Sequence, residues 1–176
     1  VFVVPLYLPI GEASTEVPVF YGAVNVYLAQ KLPGYRWLPR FLRRLLDALP
    51  VLSWAADRAG STRAAGLEEL TLSVLRGEEG KQAAELDRLV EWLAEEKPDV
   101  VHLSNGLLLG LARRVKRELG IPVVCSLQDE DQWVDAMPSE ARERVWGCMA
   151  ERAEDVALFL PVSHVYAKRM QKALRL

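Results

Sequence analysis

The chain predicts an α/β fold, a Rossmann-like three-layer α/β/α arrangement around a parallel sheet. Three observations carry that expectation. From Pro98 onward, apolar runs of strand length alternate with stretches of helix length. These strand runs are short, largely apolar and joined by helices, which implies a parallel sheet covered on both faces. With 51% hydrophobic and 26% charged residues among 176, the chain can bury one sizeable core as a single domain.

Val1 to Tyr7 reads as a strand that Pro5 and Pro9 break. Val17 to Tyr21 and Ala23 to Ala29 flank Gly22 and suggest a β-excursion. Pro39 to Leu49 places Phe41, Leu42, Leu45, Leu46 and Leu49 at helical spacing opposite Arg40, Arg43 and Arg44, so it predicts an amphipathic helix. A short helix over Pro50 to Arg58 precedes the Gly60-Ser61 break. Helices are expected over Leu67 to Leu75, punctuated by Gly77 and Gly80, and over Lys81 to Glu96, ended by Lys97-Pro98. Then come strand Val100 to Leu103, helix Leu107 to Leu119, strand Pro122 to Leu127, a helix near Ser139 to Ala153, strand Ala157 to Val162 and helix Val165 to Leu174. Such β-α-β-α-β-α order implies parallel strands joined by right-handed crossovers.

Charge excludes some partners. Lys plus Arg number 22 against 24 Asp plus Glu, so no basic excess points to nucleic acid or an anionic membrane. Cys125 and Cys148 fit neither a disulfide framework nor metal-ligand spacing, which suits a reducing cytoplasm. No apolar run approaches the roughly 18 to 20 residues of a membrane span. The chain opens without Met on what reads as a strand already under way, so a preceding segment is expected.

In an open parallel sheet, ligands bind beyond the carboxyl ends of the strands. Those ends are polar three times over: His102 to Gly106, Ser126 to Asp131, and Ser163-His164. Asn105 is placed to cap the following helix, and Gly106 permits close backbone approach by a phosphate or sugar hydroxyl; for these two residues alone a plain N-cap and a loop glycine are the favoured explanation. His102 suits either a core histidine bonded to backbone or a site residue. Gln128, Asp129 and Glu130, with Asp131, are acceptors suited to sugar hydroxyls or to a general base, and equally to a capped helix start. Trp133 is a stacking platform or a core aromatic. Ser163 caps the final helix with or without a site role. Tyr21, Gly22 and Asn25 form a further cluster that either closes over the cleft or serves the hairpin.

Other motifs fail on spacing. Gly77 to Lys81 lacks the Ser/Thr and preceding strand of a phosphate-binding loop. No GxSxG elbow occurs, and neither histidine sits at ligand spacing from a cysteine or acid.

Pro98 to Asn105, Leu109 to Ala112, Gly120 to Leu127 and Leu160 to Ala167 together resemble, in order and spacing, the amino-terminal domain of GT-B fold glycosyltransferases of the retaining, group 1 type. Val17 to Leu28 is similar to the glycogen-synthase-like members with an extended β-excursion. The resemblance implies one half of a GT-B architecture: this acceptor-binding domain faces a carboxyl-terminal domain that grips a nucleotide sugar. It implies hexosyltransfer without cofactor or obligatory metal, to a carbohydrate, lipid or other acceptor, in the cytoplasm. On that reading the chain is truncated at both ends, lacking the opening strand with its glycine-rich loop and the donor domain, and is inactive alone. The family's E-x7-E pair belongs to the donor domain. Glu143 and Glu151 share its spacing inside a helix of the other domain, so no role is carried onto them. Many members place a histidine where Gln128 and Asp129 stand, a departure that puts that sugar contact in doubt.

Two readings compete with glycosyl transfer. A receiver-like binding module would gather Asp129 to Asp131 around Mg²⁺. A dinucleotide-binding domain lacks its GxGxxG.

Overall fold

A computed structural model describes residues 66–176. The expected strand Val1 to Tyr7, the β-excursion, the helices over Pro39 to Leu49 and Pro50 to Arg58, and the Tyr21, Gly22 and Asn25 cluster lie outside the described residues. Arg63–Gly80 and Val90–Leu176 make up one compact unit, and Lys81–Leu89 belongs to another.

The first unit begins with α1 (Glu68–Leu75), which has Glu68 and Glu69 in its first turn, where the helix dipole favours acids. A 3₁₀ turn, Gly77–Glu79, follows. Helix α2 (Ala83–Glu96) crosses from one unit to the other. In its first half the i,i+3 pair Glu85 and Arg88 meets at 3.0 Å. It ends at Lys97, left-handed at φ 48°, just before Pro98, which cannot continue a helix.

Three strands follow, β1 (Val101–Leu103), β2 (Val123–Leu127) and β3 (Leu158–Pro161), parallel and ordered β1-β2-β3. His102 lies opposite Val124, which lies opposite Leu158; Ser126 lies opposite Leu160. Pro161, without an N–H to donate, closes β3, which pairs with β2 alone among the described strands. The α/β fold with a parallel sheet is therefore as the sequence predicted, with six helices among the described residues.

Segments between strands differ from expectation in type more than in place. The span expected as one helix over Leu107 to Leu119 starts as a 3₁₀ segment, Gly106–Leu111, passes through α3 (Ala112–Arg114), and widens to a π-helical turn, Val115–Leu119, closed by left-handed Gly120. Close packing on α1 accompanies the 3₁₀ start. A Cβ on Gly110 would stand 2.1 Å from the Val74 carbonyl oxygen, so only glycine lets the two backbones meet. Between β2 and β3 the chain forms α4 (Glu130–Asp135) and α5 (Ser139–Ala153); α4 is a separate short helix that the periodicity did not delimit. Helix α6 (His164–Leu174) ends the unit.

Parity along the strands divides the sheet. Leu103, Val123, Cys125 and Leu127 are buried, and Gly106 sits between Met149 of α5 and Leu127 of β2, so the 3₁₀ segment and α5 cover this face. Full burial of a side chain such as Met149 contributes about 1.5–3 kcal/mol. On the other parity, Leu158 and Leu160 remain 54% and 45% exposed, so these β3 residues are not covered on both faces as the apolar runs implied. Arg152 of α5, itself buried, donates to the carbonyls of Leu75 and Arg76 at 3.1 Å each and to Glu79 at 3.2 Å. It thereby satisfies acceptors that the end of α1 leaves open.

Candidate functional site

The carboxyl ends of β1, β2 and β3 lie side by side because the strands are parallel and adjacent, so the loops that leave them form one rim. The first loop leaves β1 through Ser104 and Asn105. Asn105 is extended and its Oδ1 accepts the Leu107 N–H at 3.0 Å, capping the 3₁₀ segment. Gly106 is not an open approach for a phosphate. Its N–H donates to Glu130 Oε1 at 2.8 Å, and a Cβ there would meet Met149, Glu130 and Leu127 within 3.0–3.3 Å. The glycine serves internal packing.

The second loop carries the sharpest departure from the sequence reading. Gln128 and Asp129 are exposed, whereas Glu130, expected beside them as an acceptor for sugar hydroxyls, is only 2% exposed. One Glu130 oxygen holds Gly106, and Oε2 accepts the Tyr166 hydroxyl at 2.6 Å, a length typical of a charge-assisted bond. The Tyr166 oxygen in turn accepts the Glu130 N–H at 3.0 Å. Asp129 occupies the N-cap position of α4 without capping it. Its backbone is left-handed, φ 58° and ψ 8°, no side-chain cap bond forms, and Oδ1 takes only a 3.4 Å contact from Gln132 Nε2. The capped-helix explanation of this acid therefore fails. Asp131, by contrast, is buried and paired with Arg169 at 2.9 Å.

The third loop supplies Ser163, whose Oγ accepts the Tyr166 N–H at 3.1 Å and so caps α6. His102 is no core histidine: it is exposed on the sheet, with Nε2 2.8 Å from Ser126 Oγ on the neighbouring strand. Trp133 turns its indole N–H toward Thr71 of α1 at 3.5 Å, which suits a packing role better than a platform facing ligand. The structure thus brings Asn105, Gln128, Asp129 and Ser163 to one rim and withdraws Gly106 and Glu130 beneath it. Asn25 lies outside the described residues. Tyr166, which the sequence reading passed over, is the residue that joins the second loop to the third. Its signal was faint: a tyrosine three residues after a cap serine, at a depth that only the strand ends define.

The electrostatics of the rim come from this pairing. The Tyr166 phenol is held well above its ordinary range, first by burial and then by the Glu130 carboxylate beside it. Burial, with a smaller contribution from the Glu130 charge, pushes the Cys125 thiol up to about 12, so this sulfur is no nucleophile at neutral pH. Among the described residues no group of three His, Cys, Asp or Glu side chains is placed to hold a metal ion, and the acids Glu130 and Asp131 are already bonded to Gly106, Tyr166 and Arg169. A receiver-like Mg²⁺ site at Asp129 to Asp131 would have to break those bonds. Nor is any described helix long and apolar enough to cross a membrane.

An array of neutral caps and one outward acid, on loops fixed by buried hydrogen bonds, is suited to orienting hydroxyl groups. Comparison with known proteins agrees in class. No curated protein and no solved structure matches the chain. The model of one protein family does match, over residues 11–174, nearly the whole sequence. The chain belongs to the glycosyl transferase 4-like domain family.

Proposed function

We propose that this chain is the acceptor-side, amino-terminal half of a GT-B glycosyltransferase, of the retaining group 1 type and related to its glycogen-synthase-like members. The enzyme transfers a hexosyl group from a nucleotide sugar to a carbohydrate, lipid or other acceptor. The single observation that supports this most is the rim itself: three adjacent strand ends carrying Asn105, Gln128, Asp129 and Ser163, in a chain of this family. The Asp129 carboxylate accepts from hydroxyls of the acceptor or of the transferred sugar, the Gln128 amide both accepts and donates, and Asn105 and Ser163 line the same rim from their cap positions. His102 and Ser126, lower on the sheet, form a second polar pair available to the same ligand.

The rim is one wall of a cleft, and a facing domain grips the donor phosphates. No step requires a metal ion. The isolated chain does not turn over, and the enzyme acts in the cytoplasm, where nucleotide sugars are made. The test is nucleotide release from a panel including UDP-glucose and GDP-mannose, measured with the full-length protein and with this chain, in EDTA and in Mg²⁺. Turnover by the full-length protein in EDTA, lost in Asp129→Ala and absent from the chain alone, is expected. Full-length protein inert towards every nucleotide sugar would sink the proposal.

A further inference from the structure

Glu130 and Tyr166 sit beneath the rim and touch all three of its loops. Glu130 Oε1 holds the Gly106 N–H from the first loop at 2.8 Å, and Oε2 holds the Tyr166 hydroxyl at 2.6 Å. The hydroxyl returns to the second loop by accepting the Glu130 N–H at 3.0 Å. One phenol has one proton to give and lone pairs to receive, so both bonds form at once. Tyr166 is itself tethered to the third loop, because its N–H donates to Ser163 at 3.1 Å. A short helix normally satisfies its first N–H groups with an oxygen of the capping side chain. In α4 the Tyr166 oxygen takes one of those N–H groups, and Asp129, in a backbone conformation rare for a non-glycine residue, makes no cap bond.

We propose that Glu130 and Tyr166 are positioning residues of the rim: their buried bonds fix the three strand-end loops relative to one another and keep the Asp129 carboxylate out of the helix cap, facing ligand. The inference rests on the reading of this rim as the sugar-facing wall. It assigns no contact with substrate to either residue. Left-handed backbone at a non-glycine residue costs about 1–2 kcal/mol and persists where its surroundings impose it, and the Glu130–Tyr166 bonds are the surroundings that impose it here.

The clamp can be tested apart from the activity. In the ¹⁵N-labelled chain, Tyr166→Phe removes a hydroxyl that touches Glu130, and the Gly106 amide feels it through the Glu130 carboxylate. The Gly106 amide is expected to shift and to exchange about tenfold faster or more, with the fold retained by circular dichroism. In a Glu130→Gln background, Tyr166→Phe should move Gly106 far less, since the coupling path is already altered. An unmoved Gly106 amide in folded Tyr166→Phe overturns the clamp. Should Tyr166→Phe not fold, Glu130→Gln decides: the Gly106 amide, which donates to the Glu130 carboxylate at 2.8 Å, should shift and exchange faster, and an unmoved Gly106 amide overturns the clamp.

The consequence for function is read on the full-length protein with UDP-glucose and GDP-mannose. Tyr166→Phe should lower kcat by about tenfold or more while donor KM changes little, because misplaced groups cost turnover before they cost donor binding. An unchanged kcat overturns the positioning role even if the clamp exists. Wild-type protein with no turnover sinks the glycosyltransfer reading instead, and the amide data then still decide the clamp.

Discussion

Replacing Asp129 tests whether the rim acid contributes to folding or only to function. Asp129 holds φ 58° and ψ 8°, and its carboxylate contributes no cap bond, only an exposed 3.4 Å contact with Gln132. Left-handed backbone costs a residue with a Cβ about 1–2 kcal/mol, least for Asp and Asn, and costs glycine nothing in sterics but roughly 0.5–1 kcal/mol in backbone entropy. Asp129→Gly should therefore be neutral or stabilising by about 0.5 kcal/mol, which moves the melting temperature up by about 1–2 °C. Asp129→Val, with a branched Cβ that fits this region worst, should lose about 2 kcal/mol and about 4–8 °C. Urea melts followed by circular dichroism, with midpoint and slope fitted separately, measure both. Activity should fall in both variants despite their opposite stabilities. An Asp129→Gly variant less stable than the parent by about 1 kcal/mol, or as active as it, would refute the argument that this acid is placed for ligand.

Gly110→Ala should destabilise by about 1–3 kcal/mol or more, since its Cβ would lie 2.1 Å from the Val74 carbonyl oxygen and backbone on both sides must separate; a urea melt checks it. Cys125 should resist iodoacetamide at pH 8 in the folded chain and react only on unfolding, because burial raises its thiol to about 12; Cys148, half-buried and also raised, should react slowly. Glu118 is held down to about 2, chiefly by its two bonds from Arg114 and then by Arg117, so its pairing stabilises fully above the ordinary value of 4.5 and is lost as pH falls through about 2. Glu78, lowered by its bonds from Arg117, behaves likewise. The melting temperature should accordingly fall over that acid range, modestly because the pairs are solvent-screened, and Arg114→Gln should flatten the fall.

Local chemistry made much of this molecule legible in its sequence. The apolar runs around Val101, Val123 and Leu158 announced strands, and Asn105 and Ser163 announced caps, because both depend on neighbours within a few residues. Lys97-Pro98 likewise marked a helix end, where Lys97 takes a left-handed backbone. The helix type between β1 and β2 was not legible, because the 3₁₀ start packs Gly110 against Val74 and Leu75, 35 or more residues earlier in the chain. The polar residues after β2 were equally opaque. Gln128, Asp129, Glu130 and Asp131 look alike in a string of letters, yet Glu130 and Asp131 are buried on Gly106, Tyr166 and Arg169 while Gln128 and Asp129 face out.

The sequence by itself determined the alternation of strands and helices, the parallel sheet and the polar character of its strand ends, since periodicity and capping act over a turn or a strand. Only the tertiary structure decided which of those polar residues remain available to a ligand. The reason is that a buried carboxylate must find hydrogen bonds, and the partners that Glu130 finds, Gly106 and Tyr166, come from 24 residues before it and 36 after it.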